Sequence, residues 1–213
     1  MVTTNRLYNK DHYLKKFTAK VINITENKVV LNRTAFYPES GGQSGDTGSI
    51  EGRKVIDTQV DNSTIFHIME KEPNFNEGDI VQGEIDWERR YNIMKLHTAS
   101  HIMEYFLWQN FGLMERTGSR VDENKDRADY KYDGRLDKTK LKQVESKTNE
   151  FLQEGHLVVI KEDDEGIMHW KCGPVKMLCA GTHVKNTKEI GKIGLKRKNP
   201  GRGVERVETT LSE

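Results

Sequence analysis

Two short stretches that must meet in space constrain this chain more than any other feature: His97-Thr98-Ala99-Ser100-His101 and, far downstream, Cys179-Ala180-Gly181-Thr182-His183. Each is a pair of potential metal ligands at i, i+4. On a helix that spacing stacks two side chains on one face, so His97 and His101 can reach a single ion. Two imidazoles with a thiolate and a third imidazole form a donor set whose softness suits Zn²⁺. The competing reading is plain burial, with His97 and His101 as satisfied core histidines and Cys179 as a small hydrophobe. Cys179 lies in a Gly-containing turn and not in an apolar run. Both pairs also occur in a chain with seven His and two Cys, which favours the metal.

Composition narrows the rest. A chain of 213 residues, 34% hydrophobic and 31% charged, is long enough to bury a core and is strongly solvated. No apolar run approaches the roughly 20 residues of a bilayer span, so no membrane partner is expected. The start, Met1-Val2-Thr3-Thr4-Asn5-Arg6, carries no apolar signal region. Two cysteines without an export signal point to a reducing, cytoplasmic setting and away from a disulfide scaffold. A formal net charge of +1 gives no global attraction to nucleic acid, so any RNA contact has to come from local patches. Nothing in the sequence implies a protein partner.

The predicted fold class is α+β: a small N-terminal β-barrel over residues 1–86, then an α+β domain over residues 87–213. Phe17 to Ile24, the turn Glu26-Asn27 and Lys28 to Leu31 read as a hairpin. Short strands follow at Ser49 to Glu51, Lys54 to Val60, Thr64 to Met69 and Asp79 to Ile85, the spacing of a small barrel. Inside this region Phe36 to Gly48 holds four glycines, among them Gly41 and Gly42. The loop is either a flexible hairpin connection or a site of close backbone approach that cradles an RNA end or packs against another domain; it lacks the Lys and following helix of a phosphate loop. On the functional reading Gly41 and Gly42 contact substrate.

From Trp87 to Phe111 there is no Pro or Gly. Trp87, Tyr91, Met94, His97, His101, Tyr105 and Trp108 recur at three- and four-residue steps, predicting a helix with the His pair inside an apolar stripe. The aromatic residues are read as core ahead of a base-stacking platform. Strands are expected at Thr117 to Val121 and Ala128 to Tyr132, and a helix over Lys138 to Glu154 capped by Asp137 and Gly155. Leu157 to Ile160 reads as a short strand, Pro174 to Leu178 leads into the Cys179 turn, and two strands bracket Pro200-Gly201-Arg202-Gly203. The last segment is locally basic: Lys185, Lys196, Arg197 and Arg202 are the candidate RNA contacts, with a merely solvated face as the alternative. Cys172 is read as a core cysteine.

Taken together, Phe36 to Gly48, Asp86-Trp87-Glu88-Arg89-Arg90, the His97–His101 pair, Asp129 to Asp133, Cys179 to Val184, Glu189-Ile190-Gly191 and Gly203 to Glu208 resemble, in order, the AlaX-type alanyl-tRNA editing proteins and the editing domain of alanyl-tRNA synthetase. The Gly-rich N-terminal region resembles the medium-length form. Departures are local: Ala180 stands where a second glycine is commoner, and Gly134 where another polar residue is frequent. The resemblance implies hydrolysis, in trans, of mischarged Ser-tRNA(Ala), and of Gly-tRNA(Ala) as a further substrate, with Zn²⁺ as cofactor and mischarged tRNA(Ala) as partner. It also implies a pocket hydroxyl at Thr117, with Ser119 as the alternative. No Glu lies within the His pair as in H-E-x-x-H, so no protein general base is assigned. Two other classes remain open: a non-catalytic, zinc-stabilised tRNA-binding module, and a small-molecule zinc hydrolase.

Overall fold

A computed structural model describes residues 3–212; Met1 and Val2, the first residues of the N-terminal stretch read above, and Glu213 lie outside it. The protein is α+β and forms two compact units, Met1–Tyr91 and Asn92–Glu213. The division falls a little after the change of pattern at Asp86-Trp87, because the first turn of the helix that starts there counts with the first unit.

The first unit contains β1 (Asn5–Arg6), β2 (Lys16–Thr25), β3 (Lys28–Leu31), β4 (Arg33–Thr34), β5 (Gly48–Ile50), β6 (Arg53–Asp61), β7 (Thr64–Met69) and β8 (Ile80–Ile85). Six of these pair in the ring β2-β3-β7-β6-β5-β8, which closes through β8 back to β2. Alternation explains the closure. Phe17, Ala19 and Val21 on β2, Ile65 and Met69 on β7 and Val81 and Ile85 on β8 point inward and are buried, while their neighbours face out. The Gly-rich segment 36–48 is fixed in place. Asp46 and Arg90, each about 1% exposed, form an ion pair, with Arg90 Nε 2.8 Å from Asp46 Oδ1. Arg90 also donates to the carbonyl of Ala35 at 2.8 Å, and the Tyr37 amide donates to Asp46 Oδ2 at 2.5 Å. Of the loop's glycines, Gly45 is required by packing, since a Cβ there would lie 2.3 Å from the Thr58 carbonyl. Gly41 and Gly42 are required by backbone, at φ of 58° and 85°.

The second unit takes up α1 (Trp87–Phe111) from Asn92 onward, then β9 (Arg116–Val121), β10 (Asp126–Lys131), α2 (Lys138–Glu154), β11 (Val158–Glu162), β12 (Met168–Cys172), β13 (Val175–Leu178), β14 (Lys192–Gly201) and β15 (Val204–Ser212). The strands form two antiparallel sheets, ordered β14-β15-β10-β9 and β11-β12-β13. Helix α2 has the caps its sequence announces: Asp137 accepts from the Lys140 amide, and Gly155 is left-handed at φ 85°. Its buried Leu141 and Val144 join Met103 and Leu107 of α1 and Ala128, Tyr130 and Val207 of the four-stranded sheet in one core. Strand β12 was not anticipated, and the expected turn at 200–203 is tighter, because β14 runs on to Gly201.

One buried group inside the barrel sets an acid limit. His67 is fully buried; its Nδ1 lies 3.0 Å from the Val29 carbonyl, so that nitrogen donates, and its Nε2 lies 2.8 Å from the Thr34 hydroxyl. Burial pushes its pKa down to about 4. Between about pH 6.5 and about 4 the unfolded chain therefore takes up a proton that the folded chain refuses, so stability rises with pH across that window. Between pH 7 and pH 5 the wild-type chain should lose on the order of 2 kcal/mol more stability than His67→Gln, read from urea melts. Equal acid sensitivity of the two chains would contradict this account.

Candidate metal centre

Helix α1 supplies the first two ligand candidates, and it is not the one-sided helix its periodicity suggests. Every residue from Leu96 to Glu104 is buried. Ile93 and Leu96 pack on Val121, Met103 and Leu107 on β10 and α2, and His101 against Trp170 of β12, so this stretch is enclosed on several sides. Such a helix must find a partner for each polar side chain it carries. Thr98 donates to the Met94 carbonyl at 2.8 Å, and Ser100 to Asp126 Oδ2 at 2.8 Å. Glu104 accepts from Arg116 Nε at 2.8 Å and from the Tyr130 hydroxyl at 3.0 Å. His101 differs: it is 4% exposed, and neither ring nitrogen has a hydrogen-bond partner.

The turn after β13 brings the other two. The Cys179 amide donates to the Met168 carbonyl at 3.0 Å, which anchors the turn at the end of the sheet. Cys179 Sγ lies 3.2 Å from His183 Nε2 and 3.6 Å from His97 Nε2. His183 Nδ1 is 3.1 Å from the Thr98 hydroxyl. Because that hydroxyl already donates to Met94, Nδ1–H must be the donor here, which puts the ligating lone pair of His183 on Nε2. Thr98 also accepts the Val184 amide at 3.3 Å, so one hydroxyl holds both the ring and its backbone. One ligand atom each from His97, His101, Cys179 and His183 lie within 4.8 Å of one another.

These residues fit a bound cation. Burial, with help from the neighbouring His97 and Arg116, holds the His101 pKa well below the usual histidine range, so the ring is neutral and able to ligate. Burial raises the Cys179 thiol, opposed by a Gly181 backbone contact and the Arg116 charge. A fully buried imidazole with both nitrogens unpartnered is costly unless something electron-poor meets it. Three nitrogens and a sulfur suit Zn²⁺.

Around these four the sequence reading is uneven. Trp170, 1% exposed, packs edge-on against His101 at 5.0 Å between ring centroids and lies 5.5 Å from His183, and it was missed. The alternation Met168-His169-Trp170-Lys171-Cys172 was its available signal. The set Ser100–Asp126 and Arg116–Glu104–Tyr130, buried except for the partly exposed Arg116, was also missed; burial pushes the Asp126 carboxyl up to about 7. Thr117 is exposed, its hydroxyl 3.3 Å from the Asp129 carbonyl, and it is the residue left unpaired where the β9–β10 register shifts between Gly118 and Arg116. Ser119 is half-buried and paired with Ala128. Gly41 and Gly42 belong to the first unit's loop. Arg197 is directed inward, donating to the Leu136 carbonyl at 3.2 Å with Glu205 at 3.5 Å, whereas Lys185, Lys196 and Arg202 are exposed. Cys172 is fully buried and its thiol is raised to about 11 by burial. No helix of the described residues is long and apolar enough to cross a membrane.

Comparison with known proteins decides the family. The alanyl-tRNA editing protein AlaX-M of Pyrococcus horikoshii is 38% identical over 213 residues, covering 98% of both chains. The chain belongs to the AlaX-M family. Its relatives include parts of larger proteins: the alanine–tRNA ligase of Sulfurisphaera tokodaii is 36% identical over 89% of this chain, and that of Methanococcus vannielii 36% over 96%. Against these ligases the chain spans about a quarter of their length, 24% and 26%. A family model described as tRNA synthetases class II (A) matches residues 7–89, and one described as the threonyl and alanyl tRNA synthetase second additional domain matches residues 171–208. The Gly-rich loop falls in the first match, and Cys179 and His183 in the second.

For this AlaX-M chain, Zn²⁺ should bind with release of about one proton per ion at pH 7, from the raised Cys179 thiol. Calorimetry in buffers of different ionisation heat reads that proton, and Cys179→Ser should abolish it. Thr98→Val should weaken Zn²⁺ by about 10- to 100-fold, measured by chelator competition, while the fold is retained. Unchanged affinity would remove Thr98 from the support of His183.

Proposed function

We propose that this chain is a trans-acting hydrolase that deacylates mischarged Ser-tRNA(Ala), with Gly-tRNA(Ala) as a second substrate, through a Zn²⁺ site held by His97, His101, Cys179 and His183. One observation carries the reading: the unpartnered imidazole of His101 lies within a four-donor cluster, in a chain matched along 98% of its length to an alanyl-tRNA editing protein. The free-standing form of that relative supports action in trans. Residues 1–86 would then serve as the barrel that carries the Gly-rich loop, and residues 87–213 as the editing domain, working in the cytoplasm.

Zn²⁺, when bound, supplies Lewis acidity toward the ester or an anchor for the substrate amine. The chain's own residues do the rest. Thr98 fixes the ligating face of His183, and Trp170 closes over His101 and His183 and keeps water off that side. Arg116, paired with Glu104, places a positive charge close enough to act on both His101 and Cys179. The Glu104 carboxylate is thereby occupied, in line with the absence of an assigned general base. Serine differs from alanine by one hydroxyl, and a pocket that hydrogen-bonds that hydroxyl rejects alanine strongly, because its own polar group is otherwise left unpaired. Thr117 is the proposed partner, since a bulge re-aims the side chain it inserts. Gly41 and Gly42 are proposed to meet substrate backbone to backbone, and Lys185, Lys196 and Arg202 to meet phosphates. Arg197 would act by holding β14 to Glu205.

A second reading has one observation in its favour. Four protein donors around an ion usually mark a structural site, which would suit a zinc-stabilised tRNA-binding module. Deacylation of Ser-tRNA(Ala) and Ala-tRNA(Ala) separates the two. The wild-type chain should remove serine and spare alanine, the double variant His101→Ala, Cys179→Ala should lose at least 100-fold of the serine rate, and Thr117→Val should lose the preference between the two esters. Tight tRNA binding with neither ester turned over would establish the module instead.

A further inference from the structure

The three-stranded sheet of the second unit has one buried face and one bare one. Trp170, Cys172 and Val175 turn inward and are buried. On the outer face the register sets Val159, Lys171 and Lys176 side by side, and next to them Lys161, His169 and Leu178. Leu157, at the head of β11, is 70% exposed and Leu178 is 65% exposed, beside an open groove of about 640 Å³.

Two features of this face need an occupant. Leu157, Val159 and Leu178 are large aliphatic residues left in water together. Lys171 and Lys176 are direct cross-strand neighbours, and like charges placed opposite one another destabilise a ladder. Among the described residues, the ammonium groups of Lys161, Lys171 and Lys176 have no carboxylate partner. His169 is held by Asp163 at 2.7 Å, and the acidic turn after β11 bounds the face at one end. A second copy of the chain would set lysine against lysine across a two-fold interface. A polyanion with apolar surface meets both needs, phosphates at the lysines and sugar and base at the aliphatic residues.

The position of the face says which part of such a polyanion. Strand β13 is the sheet edge, and it ends at Leu178, one residue before Cys179. From Lys176 to Cys179 is three residues, about 10 Å of extended chain. We propose that the outer face of β11, β12 and β13 docks the tRNA strand that leads to the aminoacylated 3′ end, with Lys161, Lys171 and Lys176 on its phosphates. This rests on the tRNA-editing reading and adds the surface that delivers the ester to the Cys179 edge. The face has no aromatic ring other than His169, so the contact is electrostatic and indifferent to base sequence.

The test is fluorescence anisotropy of labelled, uncharged tRNA(Ala) against zinc-loaded wild-type protein and the triple variant Lys161→Gln, Lys171→Gln, Lys176→Gln, from about 50 to 200 mM salt. All three lysines are exposed, and circular dichroism with zinc stoichiometry checks that the variant is intact. Each phosphate contact to a single strand contributes about 0.7 to the slope of log affinity against log salt, so the variant's slope should be shallower by about 2 and its affinity at least tenfold lower at 0.1 M salt. A control variant, Lys196→Gln with Arg202→Gln, reports the separate C-terminal patch. Equal slopes for wild type and triple variant overturn the proposal, and if the wild type still deacylates Ser-tRNA(Ala) the functional reading stands without it. A wild-type dimer made monomeric by the triple change, with tRNA affinity unaltered, would show the face to be a protein interface and overturn it too. Failure of the wild type both to bind tRNA and to deacylate it overturns the functional reading and this inference together.

Discussion

The candidate site of the second unit is built around one buried imidazole left without a hydrogen bond. His101 sits mid-helix, enclosed by Trp170 on one side, with both nitrogens unpartnered. Leaving a buried polar group unsatisfied costs about 1–3 kcal/mol, and a fold that satisfies Thr98, Ser100 and Glu104 on the same helix plainly has the means to satisfy His101. The unpartnered ring therefore belongs to the site, and the approach of Cys179 and His183 to the same point gives it a chemical meaning.

The supporting groups explain how such a site keeps its shape. A helix delivers two of the candidate ligands with fixed spacing, but the third and fourth come from a turn, which on its own would wander. Three contacts remove that freedom: the Cys179 amide on Met168, the Thr98 hydroxyl between His183 and Met94, and the Val184 amide on the same hydroxyl. Arg116 then sets the charge beside the cluster, favouring the neutral ring of His101 and partly opposing the burial that raises the Cys179 thiol. Position and protonation state are thus prepared by the same small set of side chains.

Most of the elements were legible in the sequence because they obey simple periods. The limits of α1 follow from a run free of Gly and Pro, those of α2 from its caps, and the barrel strands from two-residue alternation. That His97, His101, Cys179 and His183 would come together was legible because identical spacing in two distant segments is a strong signal. The burial of α1 over 96–104 was not, since Thr98, Ser100 and Glu104 argue for solvent until His183, Asp126 and Arg116 come in from remote strands. Strand β12 was overlooked beside the acidic run that precedes it, and Trp170 with it. The Gly-rich loop could be read as flexible because Asp46 is fixed by Arg90, a residue 44 positions away that the sequence offers only as part of a charged cluster. The basic C-terminal segment looked uniformly available, yet Glu205 and Glu208, across the hairpin, take up Arg197 and Lys198.

The most direct measurement is zinc K-edge X-ray absorption on protein loaded with one equivalent of Zn²⁺. The account predicts a first shell with one sulfur at about 2.3 Å and nitrogen donors at about 2.0–2.1 Å, with the sulfur lost in Cys179→Ser. A shell of light atoms alone in the wild-type chain, or failure to retain one ion per chain, would contradict it.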